Sequence, residues 1–331
     1  MESWLLGKGT NDLEEQLQKY LNTFSRLKRG NTVYGKAPHK PVLLLSIIEL
    51  IDKGLITGNE LPINADLVGI FKENWQLLVP TLHQADFTQP FYYLQSDKSA
   101  GVPFWFLQPY QGSQINAHIS SVNTLAAVCA YGYFAEELYL LLADSQSRSS
   151  FKYLLLDVYF SESKANYLSM KQHGEGYMHD QISYVLNEPE AQYRHVSIHT
   201  EEDRFVRSGL FKQLVPKTYN NQCSFTGMKL TSTFNYNFID ACHIVPFSYS
   251  QNDKVSNGIA LCPNLHRAFD RGLVSISDEY RILVSQHVIE DDSHPYGLRQ
   301  LAGKDMLLPA TQNHNPDING LIWHRDNVFK G

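Results

Sequence analysis

The chain has 331 residues, of which 43% are hydrophobic and 19% charged, with a formal net charge of −6 at pH 7. That length suits two ordinary domains and that balance a globular protein; no apolar run reaches the roughly twenty residues that span a bilayer. The start MESWLLGKGTNDLEEQ shows no signal-peptide pattern, and a cytoplasmic location with no membrane partner is expected. Cys129, Cys223, Cys242 and Cys262 are widely spaced without a C-x-x-C pair, which fits a reducing compartment and argues against a four-cysteine zinc site.

In chain order, DLEEQLQKYLNTFSRLKR reads as a first helix, starting at the capping pair Asn11-Asp12 and stopping at Gly30. HKPVLLLSIIELIDKG follows as a second, with Pro41 at a first-turn position and Gly54 as its stop. LPINADLVGIFKENWQLLV reads as a third helix. PFYYLQSD and VPFWFLQP read as aromatic strands of a hairpin around SDKSAG, and EELYLLLAD and SFKYLLLDVYF as further helices. From Ser161 to Ser197 the sequence turns polar and reads as a connector with some helix. RFVRSGLFKQLVPKTYN is a helix with a basic face, the run Cys223 to Ile244 alternates like two strands, and NGIALCPNLHRAFDRG holds a turn and a short helix. GLVSISDEYRILVS closes as a hairpin with Ser277-Asp278 at its tip.

The acidic net charge hides two acid-free stretches. One, between Glu15 and Glu49, carries Lys19, Arg26, Lys28, Arg29, Lys36 and Lys40; the other, from Arg204 to Ile239, carries Arg204, Arg207, Lys212, Lys217 and Lys229. Local basic surface is what phosphate contact requires, because each neutralised phosphate releases counterions whatever the distant charge. GKAPHKP also sets basic residues before an apolar helix, whose exposed N–H groups suit phosphate; an ordinary loop before a core helix reads equally well.

The most informative segment is IDACHIVPFSYSQNDKVSNGIALCPNLHRAFDRG. It holds His243, Asn257 and His266, with Asp240 just upstream. A single histidine is usually a packed or solvated residue; two imidazoles, an amide and a carboxylate in one strand–loop–helix run are a different matter. Phosphodiester hydrolysis needs a divalent ion to stabilise the leaving oxygen and a neutral imidazole to take a proton from water. In a strand Asp240 and Cys242 point one way, and Ala241 and His243 the other. His243 is assigned as general base, and His266, on the short helix, as a metal ligand. Asn257 either ligates the ion or holds the loop that orients His243. Asp240 is the expected oxygen ligand for Mg²⁺ or Mn²⁺, Cys242 is expected to pack, and Asp270 to cap or brace the helix.

These residues resemble the HNH endonuclease family, the ββα-metal fold. The resemblance runs through RFVRSGLFKQLVPKTYNNQCSFTGMKL, DACHIVPFS, NGIALCPNLHRAFDRGL and SISDEY. It implies His243 as base, Asn257 as its orienting residue and His266 as metal ligand, all three catalytic. Many members carry an Asp or His directly before the base, where this chain has Cys242. The first half, from GKAPHKPVLLLSIIELI through FKENWQLL and QPFYYLQSD to LLLDVYF, looks like the sulfur-binding domain of phosphorothioate-dependent restriction enzymes, and the terminal LIWHRDNVFKG looks like the close of such proteins.

The resemblance implies an α+β chain: a helix-rich mixed DNA-reading domain over 1–162, a connector over 163–197, and an HNH nuclease domain over 198–331. Its expected partner is double-stranded, phosphorothioate-modified DNA, with a homodimer as one route to a double-strand break. A sulfur atom calls for a shallow apolar pocket ringed by cations, expected from Arg29, Lys36, His39, Lys40, Pro90, Phe91 and Tyr92. Arg204, Arg207 and Lys212 are expected to contact DNA beside the nuclease. The alternatives are a nuclease reading another mark, such as methylated cytosine, or an unmodified sequence, and a non-catalytic DNA-binding protein.

Overall fold

A computed structural model describes residues 10–174, 176–189, 199–230, 232, 237–291, 294 and 296–331. The signal-peptide reading of the first residues, part of the connector (175 and 190–197) and part of the expected strands between Cys223 and Ile244 (231 and 233–236) lie outside them. Among the described residues no helix is long and apolar enough to cross a membrane. The chain divides into two compact units, 1–179 with 198–206, and 180–197 with 207–331.

The first unit is built on helices. Helix α1 (Thr10–Phe24) leads to a minimal hairpin, β1 (Asn31–Thr32) with β2 (Gly35–Lys36), and then to α2 (His39–Asp52). Nearly every side chain of α2 from His39 to Leu50 is buried, as a helix that is apolar on all sides must be in a core. Gly54, at φ +67°, turns the chain out after its last residues. Helix α3 (Ala65–Leu78) packs on α2 and is capped by Asn64, whose Oδ1 accepts from the Leu67 amide at 2.9 Å.

The segment 88–97 is where the local pattern misleads. It forms α4 (Thr88–Tyr93) and a following 3-10 turn (Leu94–Ser96), not the first strand of an aromatic hairpin. The hairpin sits later, between β3 (Lys98–Ser99) and β4 (Val102–Pro103), turning at Ala100 and Gly101, both at positive φ. β5 (Trp105–Pro109) then pairs with β6 (Cys129–Phe134), which follows α5 (Val122–Val128). The fully buried Trp105 donates its indole N–H to the Phe91 carbonyl at 2.8 Å, so α4 is tied to the sheet through its apolar side. Helices α6 (Glu136–Ala143) and α7 (Ser145–Tyr159) close the core.

The expected connector carries α8 (Lys164–His173) and α9 (Tyr177–Val185), and the partition between units passes through α9 and again through α10 (Glu201–Thr218). In the second unit β7 (Asp240–His243) pairs antiparallel with β8 (Gly258–Leu261), joined by a loop with a single helical turn, α11 (Phe247–Ser250), and a 3-10 turn at Val255–Asn257. Helix α12 (Pro263–Asp270) follows directly and packs on both strands, completing a ββα unit. β9 (Val274–Ile276) and β10 (Ile282–Val284) form the expected hairpin, and α13 (Ile318–Asn327) lies against β9. There His324 is buried, stacked on Phe269 at 3.7 Å, with Nε2 donating to the Phe269 carbonyl and Nδ1 accepting from Ser275.

Candidate functional site

Strand alternation sorts the residues of β7 by face, as the sequence suggests. On the α12 side, Asp240 Oδ2 lies 3.1 Å from His266 Nδ1, and Cys242 Sγ lies 3.8 Å from Asp270 Oδ1. His266 Nε2 is 3.4 Å from Asp270 Oδ2, a pair four residues apart on one helix face. His266 therefore stands between two carboxylates, one on each ring nitrogen.

Donor atoms of Cys242, His266 and Asp270 lie within 4.8 Å of one another. A thiol, an imidazole and a carboxylate gathered in this way are a group that could hold a divalent cation. Asp270 offers a donor to this group from the same helix as His266. Asp240 sits on the nitrogen of His266 opposite Asp270, a position open to a ligand or to a carboxylate that supports a ligating imidazole. Burial, reinforced by Asp270 and Asp240, holds the Cys242 thiol well above its ordinary pKa; its side chain is wholly enclosed, in keeping with the packing role expected of it.

His243 leaves β7 on the other side. Its ring stacks on Phe211 of α10, with centroids 3.9 Å apart and planes 8° from parallel. Its Nε2 lies 2.9 Å from Oδ1 of Asp253, a carboxylate that is 1% exposed and that the sequence reading missed. Opposite His243 in the ladder is Gly258, where a Cβ would come within 2.6 Å of Val215 and 2.9 Å of Phe211. Only glycine lets α10 approach closely enough to stack on the histidine.

Asn257 is 4% exposed and its amide is fully engaged. The oxygen accepts from Val245 N at 2.9 Å, and the nitrogen donates to Val245 O at 3.0 Å and Asn252 O at 2.9 Å. An amide bonded in this way holds the loop after β7, the arrangement that the orienting role requires. His243 and His266 make no direct contact among those described; they are joined through β7, where His243 follows Cys242.

The cationic residues divide. Lys212 and Arg204 are exposed, as a DNA-contacting role requires. Arg207 is not: it is 3% exposed, donates from Nε to Gln181 at 2.8 Å and lies 4.3 Å over the Tyr184 ring. In the first unit a cleft of about 970 Å³ gathers Arg29, His39, Lys40 and Pro90, along with Tyr34 and Tyr93. Lys36 and Tyr92 do not line it, and Phe91 is wholly buried in the core, because the helical course of α4 turns Tyr93 rather than Tyr92 toward the cleft. Lys40 is committed to a buried ion pair with Asp97 and a 3.0 Å hydrogen bond to Ser96, so its charge is already neutralised. His39 Nε2 donates to the Gln84 carbonyl at 3.0 Å, its Nδ1 is buried without a protein partner, and burial lowers its pKa.

Residues 223–277 match the HNH endonuclease family. Among solved structures the chain is similar to one described as a modification dependent TagI restriction endonuclease. That similarity has 22% identity and a TM-score of 0.30, and it covers 37% of this chain and 39% of the other. Comparison with curated proteins finds no match. The chain thus carries, over 223–277, an HNH endonuclease domain, and His243, Asn257 and His266 all fall within it.

Proposed function

We propose that the protein is a metal-dependent endonuclease that cuts DNA bearing phosphorothioate linkages. The observation that carries the nuclease part is the division of β7 described above: a held imidazole on one face, and on the other a histidine set between carboxylates. An in-line displacement needs the attacking water and the leaving oxygen on opposite sides of the phosphorus. A base and a metal centre on opposite faces of one strand end suit that requirement.

His243 takes the proton of the attacking water, with Phe211 fixing the plane of its ring. His266 and Asp270 would hold the ion, with Cys242 beside them and Asp240 setting the orientation of the His266 ring. A bound divalent ion supplies charge stabilisation at the scissile phosphate and the leaving oxygen. Asn257 keeps the loop after β7 in one shape, so that His243 is presented to substrate without first being ordered.

The cleft of the first unit supports the phosphorothioate reading. A non-bridging sulfur is soft and weakly hydrated, and the remaining charge on the group still calls for a cation. Pro90, Tyr93 and the ring of His39 offer apolar surface, since both nitrogens of His39 are buried or engaged away from solvent; Arg29 offers the charge. The size of the cleft and its two tyrosines also favour a second reading, in which a methylated base is flipped in and stacked.

Matched duplexes separate these: unmodified, with a single phosphorothioate, and with methylated cytosine, each incubated with the protein and Mg²⁺ or Mn²⁺. Cleavage of the phosphorothioate duplex alone is expected. Equal cutting of the unmodified duplex would remove the phosphorothioate reading, and cutting of the methylated duplex alone would establish the second one.

A further inference from the structure

We infer that Asp253 is a positioning residue for the hydrolytic step. It fixes His243 as the Nε2–H tautomer, so that Nδ1 is the nitrogen that accepts the proton of water, and Asn257 acts on His243 by holding the loop that carries Asp253. The inference deepens the assignment of His243 as general base and rests on it.

A carboxylate can only accept a hydrogen bond. With Asp253 Oδ1 at 2.9 Å, Nε2 of His243 must carry the proton, which leaves the lone pair of a neutral imidazole on Nδ1. The stack on Phe211 sets the plane of the ring but permits it to turn within that plane. The hydrogen bond to Asp253 removes that remaining freedom. Stack and carboxylate together leave the histidine one orientation and one tautomer.

The bonding of Asp253 sets it apart from carboxylates that serve the fold. Asp86 accepts from Thr88 N, Thr88 Oγ1 and Gln89 N on one oxygen and from Gln89 Nε2 on the other. Asp203 is likewise saturated, by Tyr177, His199, Thr200 and Lys72. Asp253 is more deeply buried than Asp203, yet its Oδ2 has no protein partner and its Oδ1 is held against His243. Burying a carboxylate with half its acceptor capacity unused is unfavourable for folding. Its position is accounted for by the imidazole.

Asn257 supplies the connection. Its amide bonds Val245, two residues after His243, and Asn252, the residue before Asp253. One side chain thus clamps the two ends of the loop 245–252 and fixes the separation between the histidine and its carboxylate. Asn257 and His243 need not touch for the first to orient the second.

The test is nitrogen-15 NMR of the full chain labelled at histidine, with the His243 signal identified by its loss in His243→Gln. The expected wild-type result is protonation at Nε2 and a lone pair at Nδ1. Asp253→Asn keeps size and shape, but its amide can donate to Nε2 and so place the proton on Nδ1. That variant is expected to show the other tautomer and a kcat lower by about 10- to 100-fold, the range of outer-shell orienting groups, with unchanged KM. A merely structural carboxylate would change thermal stability without changing the tautomer. The inference is overturned by a wild-type His243 protonated at Nδ1, or by an Asp253→Asn variant that keeps both the Nε2–H form and wild-type kcat. The wild-type NMR result needs no cleavage, so absence of nuclease activity would defeat the proposed function and still leave the tautomer measured.

Discussion

His266 is the residue on which the metal assignment turns, because both of its nitrogens face a carboxylate. If Nε2 ligates the ion with Asp270, then Asp270→Asn should weaken divalent-ion affinity by roughly 10- to 100-fold in titration calorimetry, on a scale set by loss of one charged donor or its support. Unchanged affinity in that variant would transfer the ligand role back to Asp240. At this scale the sequence is informative where chemistry is local. His243, Asn257 and His266 follow from spacing within one segment. Asp270 was visible too, four residues after His266 on a helix, and a stricter use of helical spacing would have paired them. Asp253 was not legible, since QNDKVSN reads as an ordinary polar loop and only the folded loop brings its carboxylate to His243. Lys40 and Arg207 fail as surface cations for a related reason: their partners Asp97 and Gln181 are distant in sequence, so nothing local announces that their charges are engaged.

Among elements, the pairing of β7 with β8 and the approach of α10 determine where His243 sits. Gly258 is the contact point. Gly258→Ala should force Phe211 and Val215 away from the strand, costing about 1–3 kcal/mol as overpacked core sites do, and should disturb the stack on His243. Chemical denaturation checks the first part, and a variant as stable as wild type would contradict the close packing. The ββα unit, α2, α3 and the β9–β10 hairpin were all readable, because turn residues and apolar period agree there. The 88–97 segment was not. Its aromatics suit a strand, but Phe87 and Phe91 stand four apart and pack on Phe71 and Trp105, a helical spacing that tertiary contacts select over local propensity.

For the whole molecule, the chain divides into two compact units with different chemistry: a cleft lined by aromatic, basic and acidic side chains in one, a strand-borne histidine and a Cys–His–Asp group in the other. The polar stretch read as a connector with some helix carries α8 and α9 among its described residues; polarity alone does not say where such helices begin and end. The nuclease assignment is the claim on which the others depend, and His243 carries it. The most direct measurement is cleavage of a phosphorothioate duplex by His243→Ala beside wild type, in Mg²⁺ or Mn²⁺, with DNA binding followed in parallel. The account predicts binding close to wild type and loss of strand cleavage by at least about 100-fold, the lower range for removal of a general base. Cleavage by His243→Ala at the wild-type rate would contradict it.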